Sequence, residues 1–298
     1  MIDKKINTLL TVCETGNYTK AAQILDLTQP AVSQQIKQLE NELHVRLFNR
    51  SEGELKLTRD GEVVLKYARR IQMLYGNLRQ ALKDQKNKLD RLSIGITHTV
   101  ESSPITEALA SFSTQKDDLR ITLITDTFDN LYNKLKTYEI DLAIVEGRIG
   151  NPDYRNDLLD TDSLVLAVSN QNPLSNKDHI TLNELAKQKL ILRLPSSGTR
   201  NLFTSYLETQ NLSLDNFNVI LEVDSIATIK DLVERDFGVT VISKSVLSEE
   251  LRKNKIQAIP IENLSILRET NVVYHQDFEH QEIIQEFIRL YRNSKHPQ

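Results

Sequence analysis

The stretch of sequence that decides the fold is 19–36, TKAAQILDLTQPAVSQQI. Its first part places alanines and Leu25 at helical core spacing, which predicts a short helix capped by Thr19. Thr28 is the expected N-cap of a second helix, and Pro30 falls in its first turn, where a missing N–H costs little. Two short helices joined by so tight a turn form a helix-turn-helix.

A further helix is predicted before this motif. Its apolar face ends at Gly16, a residue type common at helix ends, and consists of Ile2, Ile6, Leu9, Leu10 and Cys13. Cys13 is expected to be a small buried core residue, because nothing nearby in the sequence would lower its pKa. As the one cysteine of the chain, it excludes an intramolecular disulfide and a cysteine-rich zinc site.

The second helix of the motif has two contrasting faces. The predicted inward face consists of Ala31, Val32, Ile36, Leu39 and Leu43. The outward face consists of Gln29, Ser33, Gln34, Lys37 and Gln38. Such a slim polar face can enter the major groove of DNA, where glutamine bonds the edge of adenine and lysine reaches phosphates. The alternative is an ordinary amphipathic helix whose polar face is solvated.

A longer pattern favours the DNA interpretation. It comprises Thr19–Ala22, Leu27–Ile36, Leu39, Glu40, Leu43, Leu47, Phe48, Arg50, Leu57 and Thr58. Without gaps over about sixty residues, this arrangement closely resembles the DNA-binding domain of LysR-type transcriptional regulators. The resemblance implies an N-terminal all-α winged helix-turn-helix with a long linker helix. The residues expected to contact DNA are Thr19, Thr28, Gln29, Ser33, Gln34, Lys37, Arg50 and Lys56.

The expected wing is a β-hairpin that follows Phe48 and turns at Gly53. In the resembled family the wing lies against the DNA backbone and is usually basic. Here Glu52 and Glu54 stand at its tip and would repel phosphate, so Arg50 and Lys56 must carry any wing contact.

A third long helix is predicted from Thr58, its cap, to about Lys88, a length of roughly 45 Å. Its apolar residues, at spacings of 4, 3, 4, 3 and 4, are Val64, Ala68, Ile71, Tyr75, Leu78 and Leu82. This heptad pattern predicts a seam that pairs with a second copy in a homodimer. The alternative is packing on the chain's own core. Polar residues 85–88 are the expected hinge.

Charge is distributed unevenly between the two parts of the chain. Residues 1–90 contain 15 Lys and Arg against 11 Asp and Glu, a net +4, and residues 91–298 contain 22 against 30, a net −8. We therefore expect a DNA-binding domain at 1–58, a dimerisation helix at 59–89 and a ligand-binding domain at 90–298. The longest apolar runs are about five residues, far short of a membrane span, and no secretory signal is visible at the N-terminus.

From residue 91 the pattern alternates between strands and helices, which predicts an α/β domain with mainly parallel sheets. The expected strands are Leu92–Ile96, Ile121–Thr125, Leu142–Val145, Leu164–Val168, Leu190–Leu192, Val219–Val223 and Val239–Ile242. Hydroxyl residues gather at the strand-to-helix junctions 95–103, 194–200 and 224–225. With free backbone N–H groups at a helix start they can form an anion site, and Arg200 could add positive charge. The alternative is ordinary N-capping.

This region resembles the effector-binding domain of the same family, which is similar to a type-2 periplasmic binding protein with two subdomains and a cleft. The resemblance places subdomain one at 91–161 and 266–298, and subdomain two at 162–265. It implies that the cleft is lined by Thr97, Thr99, Ser197 and Thr199, with Thr127, Glu146 and Ser225 as further candidates. For His98 a surface position is slightly favoured over a ligand contact.

No hydrolase elbow, P-loop, dinucleotide fingerprint or clustered metal ligand is found, and neither a cofactor nor a metal is predicted. The expected function is a cytoplasmic, ligand-responsive transcription factor that binds an inverted-repeat promoter site and a small anionic effector. The family resemblance adds a homotetramer that usually activates. Two alternatives remain: a small-molecule binding protein with a vestigial DNA module, and an α/β enzyme acting through the Ser196–Thr199 loop.

Overall fold

The protein is described by a computed structural model in which it forms two compact units, Met1–Leu89 with Lys136–Glu139, and Asp90–Leu135 with Ile140–Gln298. The described residues are 3–51, 54–87, 90–264 and 267–295. Ile2 of the predicted first helix, Glu52 and Gly53 of the wing tip and Lys88 of the predicted hinge lie outside them, as do the side chains of Arg50, Glu54 and residues 85–87.

The described residues of the first unit form helices and one hairpin. Its elements are α1 (Lys4–Thr15), α2 (Tyr18–Ile24), α3 (Gln29–Leu43), β1 (Phe48–Ser51), β2 (Glu54–Leu57) and α4 (Arg59–Asn87). The helix-turn-helix, the hairpin and the long helix are thus confirmed. In the hairpin Phe48 pairs with Leu57 and Ser51 with Glu54, in antiparallel register.

The caps explain where the short helices begin and end. Gly16 ends α1 in the left-handed conformation at φ 63°, which glycine adopts without strain. The predicted Thr19 cap is wrong: α2 begins earlier, at Tyr18, and Asn17 accepts hydrogen bonds from the backbone N–H groups of Thr19 and Lys20 at 2.8 and 3.1 Å. Thr28 does cap α3, since its hydroxyl accepts the N–H of Ala31.

The core of the first unit gathers around Leu9, Val12, Val32, Ile36 and Leu47, all essentially inaccessible to solvent. Cys13 packs half-buried against this cluster. Leu43 was expected to point inward, and this is wrong because it is 45% exposed at the last turn of α3. Burial raises the pKa of the Cys13 thiol to about 11, so the thiol is protonated and unreactive near neutral pH.

The described residues of the second unit alternate strands and helices. Its strands are β3 (Asp90–Ile96), β4 (Leu119–Thr125), β5 (Leu142–Glu146), β6 (Tyr154–Ser169), β7 (Lys189–Arg193), β8 (Asn218–Val223), β9 (Thr240–Ser243), β10 (Ile256–Ile259) and β11 (Leu267–His275). Its α-helices are α5 (His98–Glu101), α6 (Pro104–Thr114), α7 (Phe128–Lys136), α8 (Leu182–Leu185), α9 (Gly198–Thr209), α10 (Ile226–Glu234), α11 (Ser248–Arg252) and α12 (Gln281–Lys295).

The expectation of mainly parallel sheets is wrong. Parallel pairing joins β3 to β4 and β5, and β7 to β8. The long strand β6 pairs antiparallel with β9, β10 and β11, and β11 also pairs antiparallel with β5. The error arose because β10, β11 and the first half of β6 were not recognised as strands. β11 and the first half of β6 carry too many polar residues to give the apolar run of a parallel strand, and β10 is only four residues long.

Two lobes result, each with its own core. The first lobe contains β3–β5, the first half of β6, β11, α5–α7 and α12, and its core includes Ile94, Ile144, Val272 and Phe287. The second lobe contains the second half of β6, β7–β10 and α8–α11, around Leu166, Leu190 and Val241. Because β6 runs through both, the lobes share a continuous strand.

A close packing contact fixes the end of β3 that leads into α5. A Cβ atom at Gly95 would lie 2.6 Å from side-chain carbons of both Leu131 and Ile140, which a real Cβ does not tolerate. Glycine at this position therefore lets α7 pack closely against β3. This packing fixes the end of β3 that leads to Thr97. None of the helices in the described part of the chain is long and apolar enough to cross a membrane.

Candidate functional site

The polar face of α3 is accessible within the first unit. Val32, Ile36 and Leu39 anchor the opposite face in the core. Gln29, Gln34 and Lys37 are exposed and Ser33 is half-buried. The helix therefore presents amides, a hydroxyl and one ammonium group to solvent while its apolar side is held, which is the arrangement that a major-groove helix needs.

The other predicted DNA contacts flank this helix. Thr19 is exposed on α2 and Thr28 is exposed at the start of α3. Lys56 is exposed on β2, opposite Asn49 in the hairpin. Thr8 of α1 bonds Gln35 of α3 through its hydroxyl at 2.6 Å, and this contact fixes α3 against the first helix.

The apolar residues predicted for the dimer seam do not all behave alike. Ala68 is 3% exposed and packs with Val64 in the core of the first unit, so the alternative interpretation holds for these two residues. Ile71, Leu78 and Leu82 are exposed, and Tyr75 is half-buried. The spacing of apolar residues in the sequence does not distinguish those that pack in the core, such as Val64 and Ala68, from those on an exposed face of the helix.

We call the exposed apolar stripe of α4 the exposed seam. Its members, at spacings of 4, 4, 3, 4 and 4, are Val63, Tyr67, Ile71, Leu74, Leu78 and Leu82. Each side chain is 44–55% exposed. A contiguous exposed apolar stripe of this length on a helix is typical of a protein interface.

A cleft of about 590 Å³ lies between the two lobes of the second unit. On the first lobe Thr97 caps the short helix α5, its hydroxyl accepting the N–H of Val100 at 3.3 Å. Thr127 stands at the start of α7, where its hydroxyl accepts the N–H of Asn130. Thr97, Thr99 and Thr127 line the cleft, and so does His98, whose side chain is 35% exposed.

On the second lobe the cleft is walled by the start of α9. Ser196 and Ser197 line it, and the hydroxyl of the N-cap residue Ser197 caps no N–H group of the helix. Thr199 is 2% exposed and joins the lobes beneath the cleft: its hydroxyl lies 3.5 Å from that of Thr99 and accepts a hydrogen bond from Arg268 at 3.3 Å. Ser225 stands outside the cleft lining and caps α10 by accepting the N–H of Thr228.

Positive charge in the cleft comes from arginines that sequence analysis missed. Arg193 is 3% exposed, and among the described residues its Nε and Nη1 atoms are buried without a hydrogen-bond acceptor. Its Nη2 donates to the carboxylate of Asp224 at 3.2 Å. Burial lowers the pKa of the Arg193 guanidinium, and the negative charge of Asp224 opposes that shift.

Arg268 is the second missed arginine. Its Nη2 lies 2.6 Å from Oε1 of Glu146, and both side chains are 11% exposed. The register of β11 brings this pair together, because Thr270 pairs with Glu146 on β5. The Nε of Arg268 is buried without an acceptor among the described residues.

Arg200, which the sequence suggested as the local charge, lies outside the cleft lining. It donates to the carbonyl of Arg193 and pairs with Glu222. The sequence did contain a signal for Arg193, because this residue ends an apolar strand directly before a hydroxyl-rich junction. An arginine at a buried position needs an acceptor or a counter-charge nearby. Within the described residues, no group of three or more His, Cys, Asp or Glu could hold a metal ion.

Comparisons with known proteins agree with both units. The family model described as "Bacterial regulatory helix-turn-helix protein, lysR family" matches residues 4–62, and that described as "LysR substrate binding domain" matches residues 86–295. Similar proteins include a probable RuBisCO transcriptional regulator of Thalassiosira pseudonana, 29% identical over 89% of each chain, and the HTH-type regulator CysL of Bacillus subtilis, 24% identical over 97% of this chain and 96% of that one.

Solved structures show the same fold. Full-length CbnR in complex with its target DNA matches with a TM-score of 0.70 at 20% identity, over 99% of this chain and 100% of that one. The helix-turn-helix and the two-lobed domain together define a DNA-binding transcriptional regulator with an effector-binding domain. The chain belongs to the LysR family, whose members are regulators and not enzymes, and this removes the enzymatic alternative for the Ser196–Thr199 loop.

Proposed function

We propose that this regulator responds to a small effector whose anionic group binds in the cleft between the lobes of the second unit. The observation that carries the proposal is Arg193, a 3% exposed residue that lines the cleft and whose buried Nε and Nη1 atoms have no acceptor among the described residues. Leaving buried donors of a charged group unsatisfied is costly, so a bound anion would remove a penalty as well as add an ion pair.

The surroundings of Arg193 support an anionic ligand group. The hydroxyls of Thr97, Thr99 and Ser197 line the cleft, and Ser197 leaves the first N–H groups of α9 without a side-chain cap. A helix of 12 residues presents partial positive charge at that end. Residues of both lobes line this site, so a ligand that contacts both would change the relative position of the two lobes.

The DNA-binding function is proposed to rest on Gln29, Ser33, Gln34 and Lys37, with Thr19, Thr28, Arg50 and Lys56 on flanking phosphates. Two copies joined along the exposed seam would present two α3 helices, which matches an inverted-repeat site. A pair of such dimers gives the proposed homotetramer, with activation as its main outcome. Its place of action is the cytoplasm, because the protein must reach DNA.

Thermal unfolding of the full chain with small anions tests the effector proposal. A true ligand at a hundred times its Kd should stabilise the protein by about 2.7 kcal/mol. Arg193→Met should abolish that stabilisation, whereas Arg120→Gln, which removes an exposed guanidinium of β4, should leave it unchanged. If carboxylates, phosphates and sulfate all fail to stabilise the wild type, or if Arg193→Met responds like the wild type, the cleft is not an anion site.

DNA binding is tested separately. A duplex from the gene's own upstream region should be retained at a salt concentration that removes scrambled DNA, because non-specific binding depends mostly on phosphates. Equal loss of both duplexes would favour the alternative of a small-molecule binding protein with a vestigial DNA module.

A further inference from the structure

The charges that line the cleft bear on the class of ligand that it can bind. The lining contains three guanidinium groups, and each already has a carboxylate. Arg148 is held by Glu269 through two bonds of 2.6 and 3.0 Å, Arg268 by Glu146 at 2.6 Å, and Arg193 by Asp224 at 3.2 Å. These three pairs cancel in formal charge, so an anion at Arg193 brings an excess negative charge into the cleft.

Two further carboxylates lie in the same cleft on the first lobe. We call Asp126 and Asp129 the acidic wall; both line the cleft beside Phe128, at the start of α7. Asp126 accepts bonds from the Thr127 N–H and the Asn130 amide, and its second oxygen lies 4.0 Å from the Lys134 ammonium. Asp129 is exposed, and none of the described cations forms an ion pair with it.

Helix capping accounts for only part of the acidic wall. Asp126 and Thr127 already bond the free N–H and amide groups at the start of α7, and a carboxylate in this turn is also favoured by the helix dipole. The side-chain hydrogen bonds found among the described residues at the start of α7 are made by Asp126 and Thr127 and not by Asp129. A purely anionic ligand held by Arg193 would be repelled by this wall across the cleft.

We infer that the effector is zwitterionic, an amino acid or a close derivative with its anionic group at Arg193 and its ammonium group at Asp126 and Asp129. This inference rests on the proposed function of the cleft and narrows its ligand class. Such a ligand leaves the charge of the cleft unchanged and satisfies both sides at once. Phe128 and Leu202, which also line the cleft, offer apolar surface to the remainder of the ligand.

The test is thermal unfolding of the full chain with matched sets of compounds. The sets are the common α-, β- and γ-amino acids, the carboxylic acids that lack only the amino group, the amines that lack only the carboxylate, and inorganic phosphate. We expect at least one amino acid to raise the unfolding midpoint, with a Kd at least fivefold tighter than that of its deaminated acid, and the matched amine to have no effect.

Variants identify the side of the cleft that each group contacts. Asp129→Asn and Asp126→Asn should weaken the amino acid about three- to fivefold, as expected for partly exposed ion pairs. Neither variant should weaken the deaminated acid, because each removes a carboxylate that repels it. Arg193→Met should abolish binding of both. Asp117→Asn, which removes an exposed carboxylate of the same lobe outside the cleft, is the matched control.

The failures are distinguishable. If deaminated acids or phosphate stabilise the wild type as strongly as any amino acid, the zwitterion inference is overturned while the anion site stands. Equal weakening of amino acid and deaminated acid by Asp129→Asn also overturns it. If no amino acid stabilises the protein, the zwitterion inference fails. If the carboxylic acids and phosphate also fail to stabilise it, the proposed anion site in the cleft fails as well.

Discussion

The exposed seam of α4 yields a quantitative prediction. Leu78 and Leu82 are each 54% exposed on the same face of the helix. Full burial of a leucine side chain contributes about 1.5–3 kcal/mol, so covering half of one contributes about 1 kcal/mol. Two leucines in each of two chains then contribute about 4 kcal/mol to dimerisation. The double variant Leu78→Gln with Leu82→Gln should therefore raise the dimer Kd roughly a thousandfold.

Glutamine keeps the helix, because its helix propensity is close to that of leucine. Sedimentation velocity over a concentration series measures the dimer Kd of the variant and the wild type. The control is Arg79→Gln with Lys83→Gln, which has the same spacing on exposed positions of α4 outside the seam. A change of less than tenfold in the leucine variant, or an equal change in the control, would refute the role of the seam.

Three further predictions concern the first unit. Leu9→Ala should lower the free energy of unfolding by about 2–5 kcal/mol, since Leu9 is fully buried. Leu43→Ala, at the exposed end of α3, should lower it by less than about 1 kcal/mol. Chemical denaturation measures both values. Thr28→Ala should lower the free energy of unfolding by about 1 kcal/mol, because it removes the N-cap of α3. A change no larger than the experimental error would refute the capping role. Because the folded thiol has a pKa of about 11, iodoacetamide at pH 8 should alkylate Cys13 roughly a hundredfold more slowly in the native than in the urea-unfolded protein, with a native rate that rises about tenfold per pH unit towards pH 10.

Local features of the first unit were predictable because they depend on neighbours in sequence. Gly16 and Thr28 mark helix ends through contacts within a few residues, and the faces of α3 follow from the helical period. The failures have the same origin. Leu43 satisfies the spacing of the inward face, yet it lies at the last turn of α3 and is 45% exposed, and only the tertiary structure reveals that.

The cleft was predictable only in part. Its hydroxyls stand at junctions that the sequence displays, and Thr97, Thr99 and Ser197 do lie there. Its charges depend on the pairing of strands far apart in the chain. The polar strand β11 was missed, so nothing in the sequence indicated that Arg268 meets Glu146 and Thr199. Packing also decides that Arg193 and not Arg200, seven residues further along the chain, faces the cleft, since Arg200 lies on the neighbouring helix and pairs with Glu222.

The central claim is that the polar face of α3 reads bases, and fluorescence anisotropy with Gln34→Ala tests it most directly. At fixed salt, affinity should be measured for a duplex from the upstream region and for a scrambled duplex, with Gln72→Ala on α4 as the control. The variant should lose about 1–3 kcal/mol of affinity for the upstream duplex and almost none for the scrambled one. Equal losses on both duplexes would contradict base reading by this helix.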